Sequence, residues 1–450
     1  MTVQPAQPID LKARKQETMK SRFCDGSTRR DLLRVGMLGG VGLSLADFLR
    51  LSDAHASAAP ARADAAIYIH LEGGPSHLDT LDMKPGAPVE ERSPFALISS
   101  AIPGLQVCDQ LPRLAKALGD FTLIRGFSHS AGAHPQANHY LFTGNRPSPA
   151  VLHPAAGSVV QMERPSPPDV PGFVAIPGTE MQPGFLGVSF AAFKTTSFPD
   201  ASKPYQVRGL SLPGGLTSQR VRDRERLLAD LDGALREAES GSGVLTGLDR
   251  FGKKAQAMIL SARARDAFDT SRESPSLAKQ FGADTLSQSL LLAARLVEHG
   301  VRFVTVTHSG WDTHLDNIPS LKSKLLPPLD AALPALVSAL KEKGLLSRTL
   351  VMAGGEFGRT PTLNKNGGRD HWPRAGWMLM AGGGVASGKL VGGTDRKGHG
   401  PDDSTHITPD DLCATLYHVL GLDPHKEYHT STGRPVILVP EGRVIQDVLA

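Results

Sequence analysis

Residues 285–307 read TLSQSLLLAARLVEHGVRFVTVT, and this stretch decides the class of the fold. Leu290, Leu291, Ala294 and Leu296 recur at helical spacing, and Gly300 is suited to end a helix in a left-handed turn. The β-branched run Val301 to Thr307 then reads as a strand. The same grammar returns downstream, where an amphipathic segment from Leu321 to Lys343 ends at Gly344 and leads into a strand at Thr349 to Ala353. Upstream, the apolar runs Ala65 to Leu71 and Phe121 to Arg125 each stop at a glycine turn. Strands alternating with helices predict an α/β domain over residues 64–450, with a mostly parallel central sheet. Between about 160 and 280 the pattern loosens into a proline-rich stretch, a charged helical stretch from Ser218 to Ser240, and a helix through Met258 and Phe268. That region reads as an insertion covering one edge of the sheet.

The amino terminus reads as an address. Thr28-Arg29-Arg30-Asp31-Leu32-Leu33-Arg34 has the twin-arginine form, the apolar run Val35 to Ala46 follows, and Ala54-His55-Ala56 and Ala56-Ser57-Ala58 offer small-x-small cleavage sites. Asp47 and Arg50 leave the apolar run too short to span a bilayer. Residues 1–58 are therefore expected to be a signal segment that engages the twin-arginine export machinery and leaves no stable transmembrane anchor. A periplasmic or otherwise exported protein is the expected result.

Composition narrows the partners. With 40% hydrophobic and 21% charged residues the chain can bury a core, and a net charge of +4 without a basic block gives no footprint for nucleic acid. Cys24, Cys108 and Cys413 form no C-x-x-C pair, which argues against a cysteine-based zinc site. Whether Cys108 and Cys413 form a disulfide stays open.

Polar residues cluster just after the four strands, where open parallel sheets bind their ligands. The first strand is followed by GGPSHLDTLD (73–82), which carries His77 and Asp79, and the second by His129, His134 and His139. HSGWDTH (308–314) follows the third; EFGR (356–359) and then RDHW (369–372) follow the fourth. Imidazole and carboxylate together ligate Zn²⁺, Mn²⁺ or Fe²⁺, and Asp312 and His314, two residues apart, fall on one side of extended backbone. Trp311, Trp372 and Trp377 flank these loops as pocket walls or sugar-stacking platforms. Arg125, Arg359, Arg369 and Arg374 could hold a phosphate or sulfate group.

GGPSHLDTLD, GWDTH, EFGRTP and GRDHW together resemble the bacterial family known as domain of unknown function 1501, over roughly residues 65–450. That family is placed with the alkaline phosphatase and sulfatase superfold, so the resemblance implies a three-layer α/β/α sandwich that hydrolyses phosphate or sulfate esters at metal sites. It also implies that Asp312, His314 and His371 hold a divalent ion (Zn, Mn, Fe or Ca), with Glu356, Asp79 and His77 as further candidate ligands. Glu356 stands where sulfatases carry an aspartate, Phe357 replaces a histidine ligand, and His134 stands where the nucleophilic cysteine or serine belongs. The expected activity is therefore an exported metal-dependent hydrolase acting on a small-molecule or glycan ester through water. His134 would serve as ligand or general acid, and Arg359 and Arg369 would hold the anionic group. Loss of the nucleophile supports a rival reading, a catalytically silent binding or surface protein on the same fold. Histidine-carboxylate sites also suit Fe or Mn redox chemistry.

Overall fold

The computed structural model describes residues 60–203, 205, 207, 210, 220, 223 and 257–450. The signal segment and most of the charged stretch Ser218–Ser240 lie outside the described residues. Eight strands form the central sheet: β1 (Ala65–Leu71), β2 (Phe121–Phe127), β3 (Phe173–Ile176), β4 (Phe193–Lys194), β5 (Phe303–His308), β6 (Thr349–Gly354), β7 (Gly376–Gly382) and β8 (Lys389–Val391). Their spatial order is β8-β2-β7-β6-β1-β5-β3-β4. Seven run in one direction, and β7 runs against its neighbours β2 and β6.

The central strands are continuous apolar runs because both of their faces are covered. Along β1, Ala65, Ile67, Ile69 and Leu71 enter one hydrophobic core, whereas Ala66 and Tyr68 enter another. This period of two makes three layers of one sheet. The first core is closed by α1 (Pro112–Ala117), α4 (Thr285–Glu298) and α5 (Leu326–Glu342). The second is closed by α2 (His134–Thr143), α3 (Ala156–Glu163) and α6 (Pro409–Val419). The α/β/α layering agrees with the sequence reading. No helix among the described residues is long and apolar enough to cross a membrane.

Local details follow from named residues. Asp284 caps α4 by accepting from the Ser287 amide, and Gly300 beyond its end takes φ +96°. The helix expected over 321–343 is present without interruption, but its first turn, Leu321–Leu325, is wound as a π turn before α5 begins. Pro327 and Pro328 lack the N–H groups that would bond one turn back, so the regular ladder cannot run through. The 160–280 region also differs from a simple cover, since Phe173–Ile176 and Phe193–Lys194 extend the sheet beyond β5. Cys108 and Cys413 are both free and buried, in the first and second cores respectively, with the sheet between them.

Candidate metal centre

Strand polarity brings the candidate residues together. Strands β1, β2, β5 and β6 end at one edge of the sheet, and the antiparallel β7 begins there. The segments after residues 71, 127, 308 and 354 and before residue 376 therefore meet. A two-residue ribbon pairing Gly358–Arg359 with His371–Trp372 ties two of them to each other.

Three imidazoles share one design. His134 opens α2 and places Nδ1 2.5 Å from Glu356 Oε1. Nδ1 of His314 is 2.6 Å from Asp370 Oδ1, and Nδ1 of His371 is 2.7 Å from the Gly132 carbonyl oxygen. Each acceptor favours a proton on Nδ1, and in the neutral imidazole that leaves the Nε2 lone pair free for a cation. All three Nε2 atoms turn toward Asp312. His314 and His371 lie 3.1 and 3.2 Å from its Oδ1, and His134 lies 3.3 Å from its Oδ2. The Nε2 atoms of His314 and His371 are 2.9 Å apart, and that of His134 is buried without a hydrogen-bond partner. Ligand atoms about 2.0–2.1 Å from a tetrahedral ion stand about 3.3 Å from one another, close to the spacing of Asp312 from each imidazole. One ligand atom from each of His134, Asp312 and His371 lies within 4.8 Å of the others. Lone pairs aimed at one another repel unless a cation lies between them, so the donor set fits an ion.

The local charge points the same way. Asp312, Glu356 and Asp370 bring three negative charges against one on Arg359, an excess of two when the imidazoles are neutral. Burial pushes the Asp312 carboxyl up, but the hydrogen bond and charge of the Arg359 guanidinium 2.6 Å away bring it down to about 2. Burial also raises Glu356, and the His134 hydrogen bond and the His70 charge outweigh it. The bond to Glu356 raises His134, whereas desolvation lowers His371. Asp312 and His314 are 45% and 40% exposed, so the cluster opens to solvent on their side.

Several expected roles change. Asp79 is fully buried and accepts from Ser76 Oγ, Asn317 Nδ2 and Arg369 Nε at 2.6, 2.9 and 2.7 Å, which removes its oxygens from any ion. Arg369 is buried in the same pair and cannot hold an anionic group. Arg359 is equally buried, donating to the carbonyls of Gly73, Gly74 and Arg369 as well as to Asp312. Its guanidinium fixes Asp312 and is closed to substrate. Glu356 accepts from the Gly73 amide at 3.1 Å and from His134, so it orients an imidazole from behind. His77 is buried with Nε2 2.8 Å from the Gly398 carbonyl oxygen, which occupies that nitrogen.

His129 reaches the Glu356 carbonyl oxygen at 2.6 Å, His139 stacks edge-on with His153, and His308 lies 3.1 Å from Trp311 Nε1. Trp311 and Trp377 are core residues rather than platforms; Trp372 is half-buried, with Arg374 over its ring. The orienting Asp370 escaped the sequence reading although it stands beside His371, because its partner His314 is 56 positions away.

Buried neutral histidines give a pH prediction. Desolvation lowers His77, and lowers His153 to about 4, below the ordinary value near 6.5. The unfolded chain then takes up protons from about pH 6.5 downward before the folded one does. This contribution is intact above pH 6.5 and is lost as pH falls from there toward 4. Thermal unfolding is expected to show a lower midpoint at pH 5.0 than at pH 7.5, and equal midpoints would contradict it.

The family model described as "Protein of unknown function (DUF1501)" matches residues 63–449. No curated protein matches the chain. Among solved structures, the lipoteichoic acid synthase LtaP from Listeria monocytogenes is 11% identical, with 86% of this chain and 76% of that one covered and a TM-score of 0.33. A protein in the alkaline phosphatase superfamily from Vibrio parahaemolyticus is 10% identical, with coverage of 87% and 72% and a TM-score of 0.36. The PsFucS1 sulfatase from Pseudoalteromonas sp. is 14% identical, with coverage of 80% and 68% and a TM-score of 0.32.

Proposed function

The chain belongs to the DUF1501 family, and from that premise and the geometry of its cluster we propose that it is a metal-dependent hydrolase of phosphate or sulfate esters. The observation that carries the proposal is the convergence of three Nδ1-anchored imidazoles on Asp312. Asp312, His314, His371 and His134 would hold the ion. Imidazole nitrogens favour Zn, Fe or Mn over Ca, which takes oxygen ligands. A divalent ion supplies Lewis acidity there and makes hydroxide available near neutral pH, without a serine or cysteine.

The chain's own groups prepare the site. Glu356, Asp370 and the Gly132 carbonyl hold protons on Nδ1 of the three histidines and so keep Nε2 turned inward. Arg359 keeps Asp312 ionised and fixes one of its oxygens. Because Arg359 and Arg369 are buried, an anionic ester would meet the cation of the site first, from the open side of Asp312 and His314. Export through the twin-arginine route to the periplasm, from Thr28–Arg34, belongs to the same proposal and rests on the sequence.

The test is metal content by mass spectrometry on untagged protein purified without added metal, followed by turnover of nitrophenyl phosphate and sulfate esters. About one equivalent of Zn, Mn or Fe, with turnover lost on chelation, is expected. Less than about a tenth of an equivalent after incubation with each metal overturns the proposal. The second reading, a silent binding protein on the same fold, is favoured by the imidazole of His134 at the place resembling a nucleophile's. Bound metal without turnover of any ester would select it.

A further inference from the structure

The buried carboxylate of Asp79 touches none of the ligand atoms, yet it is bonded to both loops that carry them. It accepts from Arg369 through two nitrogens, Nε at 2.7 Å and Nη2 at 3.2 Å. Arg369 also donates Nη1 to the carbonyls of Thr360 and Pro361, and it directly precedes Asp370 and His371. On the other side, Asp79 accepts from Asn317 Nδ2 at 2.9 Å, and Asn317 Oδ1 accepts from Thr313 Oγ1 at 2.6 Å. Thr313 lies between Asp312 and His314. The two arms then close on each other, since the Arg369 amide donates to the Thr313 carbonyl at 3.0 Å. Ser76 Oγ supplies a fourth donor at 2.6 Å and fixes Asp79 to its own loop.

We propose that Asp79 and Arg369 are positioning residues, a buried clamp that sets the separation of the Asp312–His314 loop from the Asp370–His371 loop and thereby the ion affinity of the cluster. This rests on the metal-site reading above. The physical reason is that ligand geometry tolerates errors of only a few tenths of an ångström, while the two loops come from strands β5 and β6, which are not adjacent. A fully bonded carboxylate inside the protein has one low-energy arrangement, because releasing any donor strips a buried charge of a hydrogen bond that no water replaces. Their place in the strand-end loops, with the family resemblance, had suggested Asp79 as a ligand and Arg369 as an anion holder; their burial turns them from the site to its frame.

The test uses the full chain. Asp79→Asn keeps the shape and removes the charge, while Asn317→Ala and Thr313→Val cut only one arm and guard against a variant that fails to fold. Titration calorimetry with Zn²⁺ is expected to show affinity weaker by about 10–100-fold in Asp79→Asn. Peptides spanning 311–317 and 359–372 should exchange amide hydrogens faster in the same variant. Glu273→Gln breaks another buried pair, 2.6 Å from Arg295 in the last turn of α4 and at the opposite edge of the sheet. It should lower the unfolding temperature and leave Zn²⁺ affinity unchanged, which separates positioning from general stability. Wild-type affinity and exchange in Asp79→Asn overturn the clamp. A wild-type chain that binds no ion overturns the metal-site reading instead, and the exchange of the two loops then decides the clamp alone.

Discussion

Replacing His371 or His314 with alanine is expected to remove the bound ion and ester turnover together, with affinity weaker by at least about 100-fold in either variant. Each substitution deletes one inward Nε2 and leaves the rest of the cluster in place. Neither should harm the fold much, because both side chains lie at the open mouth of the cluster, 22% and 40% exposed. Their Nδ1 partners behave differently. The Gly132 carbonyl and the exposed Asp370 can turn to water, whereas Glu356, fully buried behind His134, cannot. His134→Ala should therefore cost stability as well as metal, since it strips a buried carboxylate of a hydrogen bond. His139→Ala is the control: His139 sits on the same helix but stacks with His153 away from Asp312. Metal analysis and calorimetry on the four variants decide the matter. Full metal content in both His314→Ala and His371→Ala would remove these residues from the ligand set.

The fold could be read from local sequence because its signals are local. Helix, glycine and strand succeed one another at 285–307 within a single window, and the alternation of Ile67, Ile69 and Leu71 with Ala66 and Tyr68 follows from strand geometry alone. The position of the site was legible for the same reason, since strand ends at one edge must converge. The division of labour inside it was not. A carboxylate that ligates and one that orients look alike in sequence, and burial alone separates exposed Asp312 from buried Asp79 and Glu356. Arg369 is a further instance, because its partner is 290 positions away. The antiparallel course of β7 has a related cause: β7 is as apolar as the parallel strands, so its direction is set by the connections before and after it. That direction is what brings His371 to the same edge as Asp312 and His314.

Gly73→Ala is expected to cost about 2–5 kcal/mol of stability and to abolish ion binding, although residue 73 has no side chain to contribute. Two effects add. Gly73 takes φ +111°, a conformation that residues with a Cβ rarely adopt. A Cβ built there would also strike the backbone of Trp311 and Asp312, which cannot swing aside as a flexible side chain could. Relief requires the Asp312 loop to move away from β1, and the Gly73 amide would release Glu356, the group that orients His134. The steric part can be isolated with Gly104→Ala. Gly104 also takes a positive φ, +76°, but no atom lies within 4 Å of the position its Cβ would occupy. That variant should lose about 1 kcal/mol from backbone strain and bind Zn²⁺ like the wild type. Denaturant unfolding and calorimetry on the pair give the difference directly. A Gly73→Ala protein no less stable than Gly104→Ala, with its ion retained, would mean that the close approach of the two loops is not what places Asp312 against the imidazoles.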